Sequence, residues 1–408
     1  MKENTQWEPI NLIEAEKIEK ERKSLTYWQD VWRRLRENVL AMIGLVMIIV
    51  LTLLAVVGPM ISDTKYSDQN LALSNLPPRL ELVQISDEDY VFVHQEYKLV
   101  QVTAKGEVIG VPELKQDNTV ERYKIYDVNG KEVKLDYGTT KKKTKKSKKA
   151  VVSEASQAPA EQAKYKLLVE GKEIDLTNTI KVFNKTNRLG TDHLGRDVWI
   201  RVLFGARISL TVGLVASMVN LIVGVLYGGI SGYEGGKVDN IMMRIVDLIN
   251  SIPLLLIVIL MMVLIEPGIK TIILTIGLVY WVSMARLVRG QVLSLKEQEF
   301  ILAARALGVS KARIIIKHLL PNAIGPIIVT LTMSIPSAIF TESFLSFIGL
   351  GVSAPQASWG TLANDALGGI RSYPYQLIVP SIAIAITMFA FNFLGDGLRD
   401  ALDPRLRK

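Results

Sequence analysis

The chain has 408 residues, of which 49% are hydrophobic, and no cysteine, so disulfides, thiolate metal sites and cysteine nucleophiles are excluded. Its mean hydropathy of +0.26 is too high for an ordinary soluble enzyme and low for a chain made only of spans, which points to membrane helices plus one sizeable soluble insert. The formal charge of +8 reads as membrane topology rather than nucleic-acid binding, because lysines and arginines cluster beside apolar segments.

Residues 1–38 read as a cytoplasmic N-terminal segment with an interfacial helix, since Arg33, Arg34 and Arg36 stand just before the first apolar run. That run, 39–61, is uncharged, and at ~1.5 Å per residue it crosses a hydrocarbon core of ~30 Å. It begins too late, and lacks the short apolar region, for a cleavable signal peptide. Further apolar segments lie at 206–230, 245–265, 271–288, 322–350 and 374–395, giving six transmembrane helices, five of them in a core over 191–395. Asp247 and Pro253 fall in the third segment, and Pro326, Pro336 and Glu342 in the fifth, which suggests faces buried in protein. Alternation places the 231–244 loop, the basic 289–321 loop and the 396–408 tail in the cytoplasm, with both termini inside.

Residues 62–190 lie between the first two spans, on the outer side. Runs such as Tyr90–Val93, Tyr97–Val102 and Tyr123–Tyr126 are rich in aromatic and β-branched residues. Asn129-Gly130 and Glu170-Gly171 signal tight turns, so the insert is expected to be a small antiparallel β domain. Within it, 139–163 lacks apolar residues and reads as a disordered Lys-rich loop, either a solvated tether or a contact for anionic polymers, headgroups or an acidic partner. Long loops translocate largely regardless of charge, so Lys141–Lys149 does not overturn the topology.

Between the fourth and fifth spans, Phe300, Ala303, Ala304 and Leu307 fall at helical spacing on one face. Gly308 suits a left-handed cap, Ser310 can start a second helix, and Pro321 is placed to stop it. An interfacial helix hairpin with no partner satisfies this spacing equally well. The stretch resembles the coupling loop of ATP-binding-cassette importer permeases: Ala303, Ala304, Gly308, Leu320 and Pro321 are in register, while Leu302 replaces the signature glutamate and His318 the isoleucine. Further blocks resemble the C-type membrane subunit of peptide permeases. They are Leu189–Asp197 with Gly205–Leu210, Leu345–Gly351 through Ser358-Trp359-Gly360, the tail Leu394–Pro404, and Trp28–Gly44. The resemblance covers about 1–61 and 188–408, and the insert does not match.

The resemblance implies a mainly α, six-helix permease of the type I importer kind in the bacterial cytoplasmic membrane. It implies a non-catalytic subunit moving oligopeptides or dipeptides inward. A related second permease chain, two ATPase subunits that bind ATP and magnesium, and an extracytoplasmic substrate-binding protein would complete the assembly. No cofactor or metal is expected in this chain; Gly232–Val238 contains Gly-Gly-Lys but not the spacing of a phosphate-binding loop. Asp192, Arg196, Asp197 and Arg207 are candidates for an ion network bracing the second span. Glu342, costly inside a membrane, is a candidate for the translocation path. Asn220 and Asn392 read as interhelical hydrogen-bonding residues. A nickel chelate, haem or another small solute remains an alternative cargo. A secondary transporter would show two related halves with mid-membrane acids, and no internal repeat is visible.

Overall fold

The computed structural model describes residues 26–62, 64–138, 165–352 and 354–403. The Lys-rich stretch expected at 139–163, most of the N-terminal segment and the end of the tail lie outside them. Helix α1 (Tyr27–Glu37) starts where Gln29 Oε1 accepts from the Thr26 amide (2.9 Å) and buries Val31 and Leu35. Asn38 ends it and caps α2 (Val39–Ile61) by accepting from the Ala41 amide at 3.1 Å. At 23 residues α2 is ~35 Å long, enough to span a bilayer, and most of its apolar surface faces outward.

The insert contains two five-stranded antiparallel sheets. β1 (Arg79–Gln84), β2 (Tyr90–Val93), β3 (Leu99–Val102), β4 (Val108–Gly110) and the late strand β10 (Ile180–Phe183) pair in the order β10-β1-β2-β3-β4. β5 (Glu113–Asn118), β6 (Tyr123–Val128), β7 (Lys131–Asp136), β8 (Lys166–Val169) and β9 (Lys172–Glu173) form a simple meander. The Asn129-Gly130 turn has φ of 52° and 83°, and it sets Val128 opposite Lys131. Both residues must be left-handed in such a turn, which is why Asn-Gly serves there. Val83, Val91, Leu99, Val128, Val133 and Leu135 are buried where the two sheets meet.

The insert is seated on the bundle rather than tethered to it. The Tyr375 hydroxyl lies 2.8 Å from the carbonyl oxygens of both Leu76 and Thr191, and Gln376 Nε2 donates to Thr191 O (2.9 Å) and Asn75 Oδ1 (3.0 Å). His94 stacks on Tyr373 with ring centroids 5.9 Å apart.

The bundle continues with α3 (Val198–Glu234), α4 (Gly236–Ser251), α5 (Leu254–Ile265), α6 (Ile269–Leu295), α9 (Ile324–Phe347) and α11 (Tyr375–Leu402), with short α7 (Glu299–Ala306), α8 (Lys311–Ile314) and α10 (Trp359–Asp365) in the connections. The second span begins at Val198, not near 206, because Asp197 caps it by accepting from the amides of Trp199 (2.7 Å) and Ile200 (3.3 Å). The third apolar segment is not one straight helix. α4 and α5 are bent by 85° at Ile252-Pro253, where proline holds the preceding residue in an extended conformation. Among the described residues five helices are long and apolar enough to cross a membrane, or six if the bent pair is one span.

α3 and α6 form the bundle's closest pair. Gly224, Gly228 and Gly232 recur every fourth residue on α3, facing Met284, Ala285, Arg289 and Val292 of α6. A Cβ at Gly224 would lie 2.5 Å from the Met284 Cβ, and one at Gly232 2.9 Å from the Arg289 carbonyl oxygen. Small residues at this spacing let backbones touch where no hydrophobic force between helices operates.

Candidate functional site

At the end of the bundle opposite the insert, α6 leads into α7, a turn, and α8. α7 closes with Gly308 at φ +72°, the Val309 amide donating to Ala304 O (3.1 Å) and the Gly308 amide to Arg305 O (3.0 Å). Only glycine takes that left-handed position without strain. α8 then passes into a π turn at Ile315–Leu319 and one last turn, Leu320–Asn322. Pro321 therefore does not stop the helix. It follows a widened turn that accommodates the missing N–H, and the helix ends two residues later at Ala323.

The four positions read as one face divide in the structure. Ile301 and Ala304 are buried with Ile314 and Leu319 against Met284, Val288 and Val292 of α6 and Ile327 of α9. Phe300, Ala303 and Leu307 point outward, with Leu307 83% exposed. Ala304 is thus a packing residue, and the outward face is Phe300-Ala303-Leu307. Spacing could not tell the two arcs apart because alanine is small and apolar on both. Ile301 and Ile314, which fix the loop to α6, were missed for that reason.

Ion pairs tie this region to the ends of α3 and α4. Lys311 Nζ lies 2.9 Å from both Glu234 carboxylate oxygens. Arg289 donates to both Asp239 oxygens at 2.5 Å, Ser231 Oγ donates to Asp239 Oδ1 at 2.5 Å, and Lys296 Nζ donates to Gly232 O at 3.2 Å. Arg305 lies over the Tyr233 ring at 5.1 Å. These contacts join the loop to α3, α4 and α6.

At the insert end, Asp192 accepts from Arg196 Nε (2.7 Å) and Arg201 Nη1 (2.5 Å), and both arginines reach Asp365 at the end of α10 (3.6 and 3.4 Å). Burial would raise the Asp192 carboxyl, but Arg201, the Arg196 amide and the Arg196 guanidinium hold it below the usual carboxylate value. Arg207 is not in this network. It is exposed two helical steps further on, and Arg201, absent from the sequence reading, takes the place expected for it. The usable signal was Gly205, one turn beyond Arg201, which packs against Ser358 and Trp359. Asp197 also stands apart, as the α3 cap bonded to Asn187 Nδ2 (2.9 Å), and burial pushes its carboxyl up.

Glu342, the residue expected on the translocation path, sits among serine hydroxyls of α3 and α9. It is fully buried and accepts from Ser209 Oγ (2.8 Å), Ser346 Oγ (2.8 Å) and Ser343 Oγ (3.4 Å). Nearby on α10, Trp359 donates its indole N–H to Val202 O of α3 at 3.0 Å. With the Ser358 side chain also hydrogen-bonded to it, the carboxyl joins α3, α9 and the start of α10. Asn220 is buried on α3, and its amide oxygen has no hydrogen-bond partner among the described residues.

Comparison with known proteins gives the family. Residues 224–408 match the model described as the inner membrane component of binding-protein-dependent transport systems, and residues 26–78 match the N-terminal transmembrane domain of oligopeptide transport permease C. The oligopeptide transport system permease protein OppC of Bacillus subtilis is 38% identical over 398 residues, covering 98% of this chain and 95% of that protein. The dipeptide transport system permease protein DppC of the same organism is 39% identical over 388 residues, 95% and 88% of the two chains. OppC of Escherichia coli is 50% identical, but over 218 residues, 53% of this chain and 72% of its own. The chain belongs to the oligopeptide and dipeptide transport permease family, and is a multi-pass membrane permease subunit of an ATP-binding-cassette importer.

Proposed function

We propose that this subunit imports oligopeptides or dipeptides together with a related second permease chain, two ATPase subunits that bind ATP and magnesium, and an extracytoplasmic substrate-binding protein. The observation that carries the ATPase contact is the outward Phe300-Ala303-Leu307 face of α7, braced from behind by Ile301 and Ala304. An apolar face on a short helix, anchored to long helices by packing and ion pairs, transmits a push without deforming. ATP-driven closure of the ATPases would move α7, and α6 and α3 would follow through the Met284–Val292 packing and the Lys311–Glu234 and Arg289–Asp239 pairs. The insert lies at the other end, where the binding protein delivers cargo, and both termini are cytoplasmic under this reading. The two carriers of substrate choice are the path between the permease chains and the binding protein, and the relatives named for oligopeptides and dipeptides support a peptide cargo.

The cysteine-free chain permits a direct test. Leu307→Cys in the assembled complex should cross-link to an ATPase subunit, and Lys172→Cys in the insert should react with an impermeant label outside intact cells. Absence of the cross-link removes the coupling role, and labelling of Ser310→Cys instead of Lys172→Cys reverses the topology.

A further inference from the structure

A groove of about 450 Å³ opens between α2 and α3 at the end of the bundle that carries the insert. Its floor is Leu54, Gly58 and Ile61 of α2, spaced along one helix face, with Ile200 and Leu203 from the first turns of α3. The seven residue steps from Leu54 to Ile61 make the floor ~10 Å deep along the helix axis. Its rim is of different chemistry: Ser62, Thr64 and Thr186 hydroxyls, the half-buried Trp199, and the cations Lys185 and Arg188.

The two cations are exposed and form no ion pair within the described residues, although the linker that carries them is fixed. The Lys185 amide donates to Gly106 O (2.9 Å), the Asn184 amide to Pro78 O (3.0 Å), and Asn187 Nδ2 to Asp197 Oδ2 (2.9 Å). Asp197, the rim's one acid, has both carboxylate oxygens turned to chain donors: Oδ1 to the Trp199 and Ile200 amides, Oδ2 to Asn187. The unspent charge on the rim is therefore positive.

We infer that this groove binds the headgroup and upper acyl chain of an anionic phospholipid. The position supplies the first argument: α2 has the length and apolarity of a membrane span, most of its surface is left uncovered by this chain, and the groove sits at its last two turns, where such a span leaves the hydrocarbon core for the headgroups. An indole at that level is the usual companion of a membrane–water boundary. The division into an apolar floor and a cationic, hydroxyl-bearing rim supplies the second. A phosphodiester accepts from guanidinium, ammonium and hydroxyl donors at once, while its glyceride carbons need apolar contact below. An acidic protein segment would meet the rim equally well but would leave the floor empty. The volume lies within the ~300–1,000 Å³ usual for ligand pockets. A lipid held here would brace the joint between the first span and the second, next to the seat of the insert.

Native mass spectrometry of the purified full-length chain in its permease complex, with phosphatidylglycerol and phosphatidylcholine offered at equal concentration, tests the assignment. The unaltered protein should retain phosphatidylglycerol preferentially. Lys185→Gln/Arg188→Gln should weaken that binding by about fivefold per cation, about twenty-five-fold together. Lys166→Gln/Lys172→Gln, which removes equal charge from the second sheet, should leave it unchanged. Because Lys185 and Arg188 are exposed and have no ion pair among the described residues, their removal does not threaten folding, and circular dichroism of the variant checks this. Equal phosphatidylglycerol retention by the Lys185/Arg188 variant overturns the proposal. So does displacement of the lipid by millimolar glycerol phosphate, since a soluble phosphate would then be the true occupant.

Discussion

The two adjacent alanines of the α7 signature should respond in opposite ways to the same enlargement. Ala304 is 7% exposed and enclosed by Ile301, Ile314, Met284, Val288 and Val292. Tryptophan there adds a bicyclic ring where no space exists, and overpacking of this kind typically costs about 1–3 kcal/mol, occasionally more. Ala303 is exposed, so the same substitution should change the stability of the permease by no more than about 0.5 kcal/mol. It would instead place a ring in the outward Phe300-Ala303-Leu307 face and block a close-fitting partner. Thermal unfolding of the purified complex and substrate-stimulated ATP hydrolysis, measured together, separate the two effects. Ala304→Trp should lower the unfolding temperature. Ala303→Trp should leave it unchanged and abolish the stimulation. Normal stimulation in Ala303→Trp, or an unaltered unfolding temperature in Ala304→Trp, would refute the assignment of inner and outer arcs.

Arg201→Gln should cost about 3–5 kcal/mol, because it strips a buried carboxylate of its 2.5 Å partner, whereas Arg207→Gln should be silent; membrane yield and thermostability distinguish them. Gly228→Leu should drive α3 and α6 apart, since even a Cβ there meets the Ala285 carbonyl, and the variant should lose thermostability by at least the ~1–3 kcal/mol of an overpacked core. His94 is held below its ordinary value of 6.5 by burial, against the Asn75 carbonyl and Glu96, which favour the cation. A depressed folded value means that the neutral ring's contribution is full above pH 6.5 and is lost as pH falls towards the folded value. The seat of the insert should therefore weaken between neutral and mildly acidic pH, read by hydrogen exchange at Asn75 and Glu96, and His94→Gln should flatten that dependence.

Much of the fold could be read from short-range pattern. The charge-free run 39–61 is α2, and Asn129-Gly130 and Glu170-Gly171 are left-handed turns between paired strands. The misreadings arise where one residue type serves two environments. Pro253 was visible, but an unbroken apolar run does not reveal an 85° bend. Arg201 and Arg207 are equally charged, and only the face that α3 turns towards α10 decides which one meets Asp192. Glu342 has a cost that demands a partner, yet Ser209 lies 133 residues away on another helix. The glycine ladder of Gly224, Gly228 and Gly232 is legible as spacing, but its meaning depends on which helix faces it.

ATP-driven uptake of a labelled peptide into proteoliposomes, containing this subunit with its second permease chain, two ATPases and binding protein, tests the central claim most directly. Accumulation should require ATP and the binding protein, and Leu307→Asp should abolish it while the permease stays folded, since Leu307 is 83% exposed. Undiminished uptake by that variant, or no ATP-dependent peptide accumulation by the intact assembly, would contradict the account.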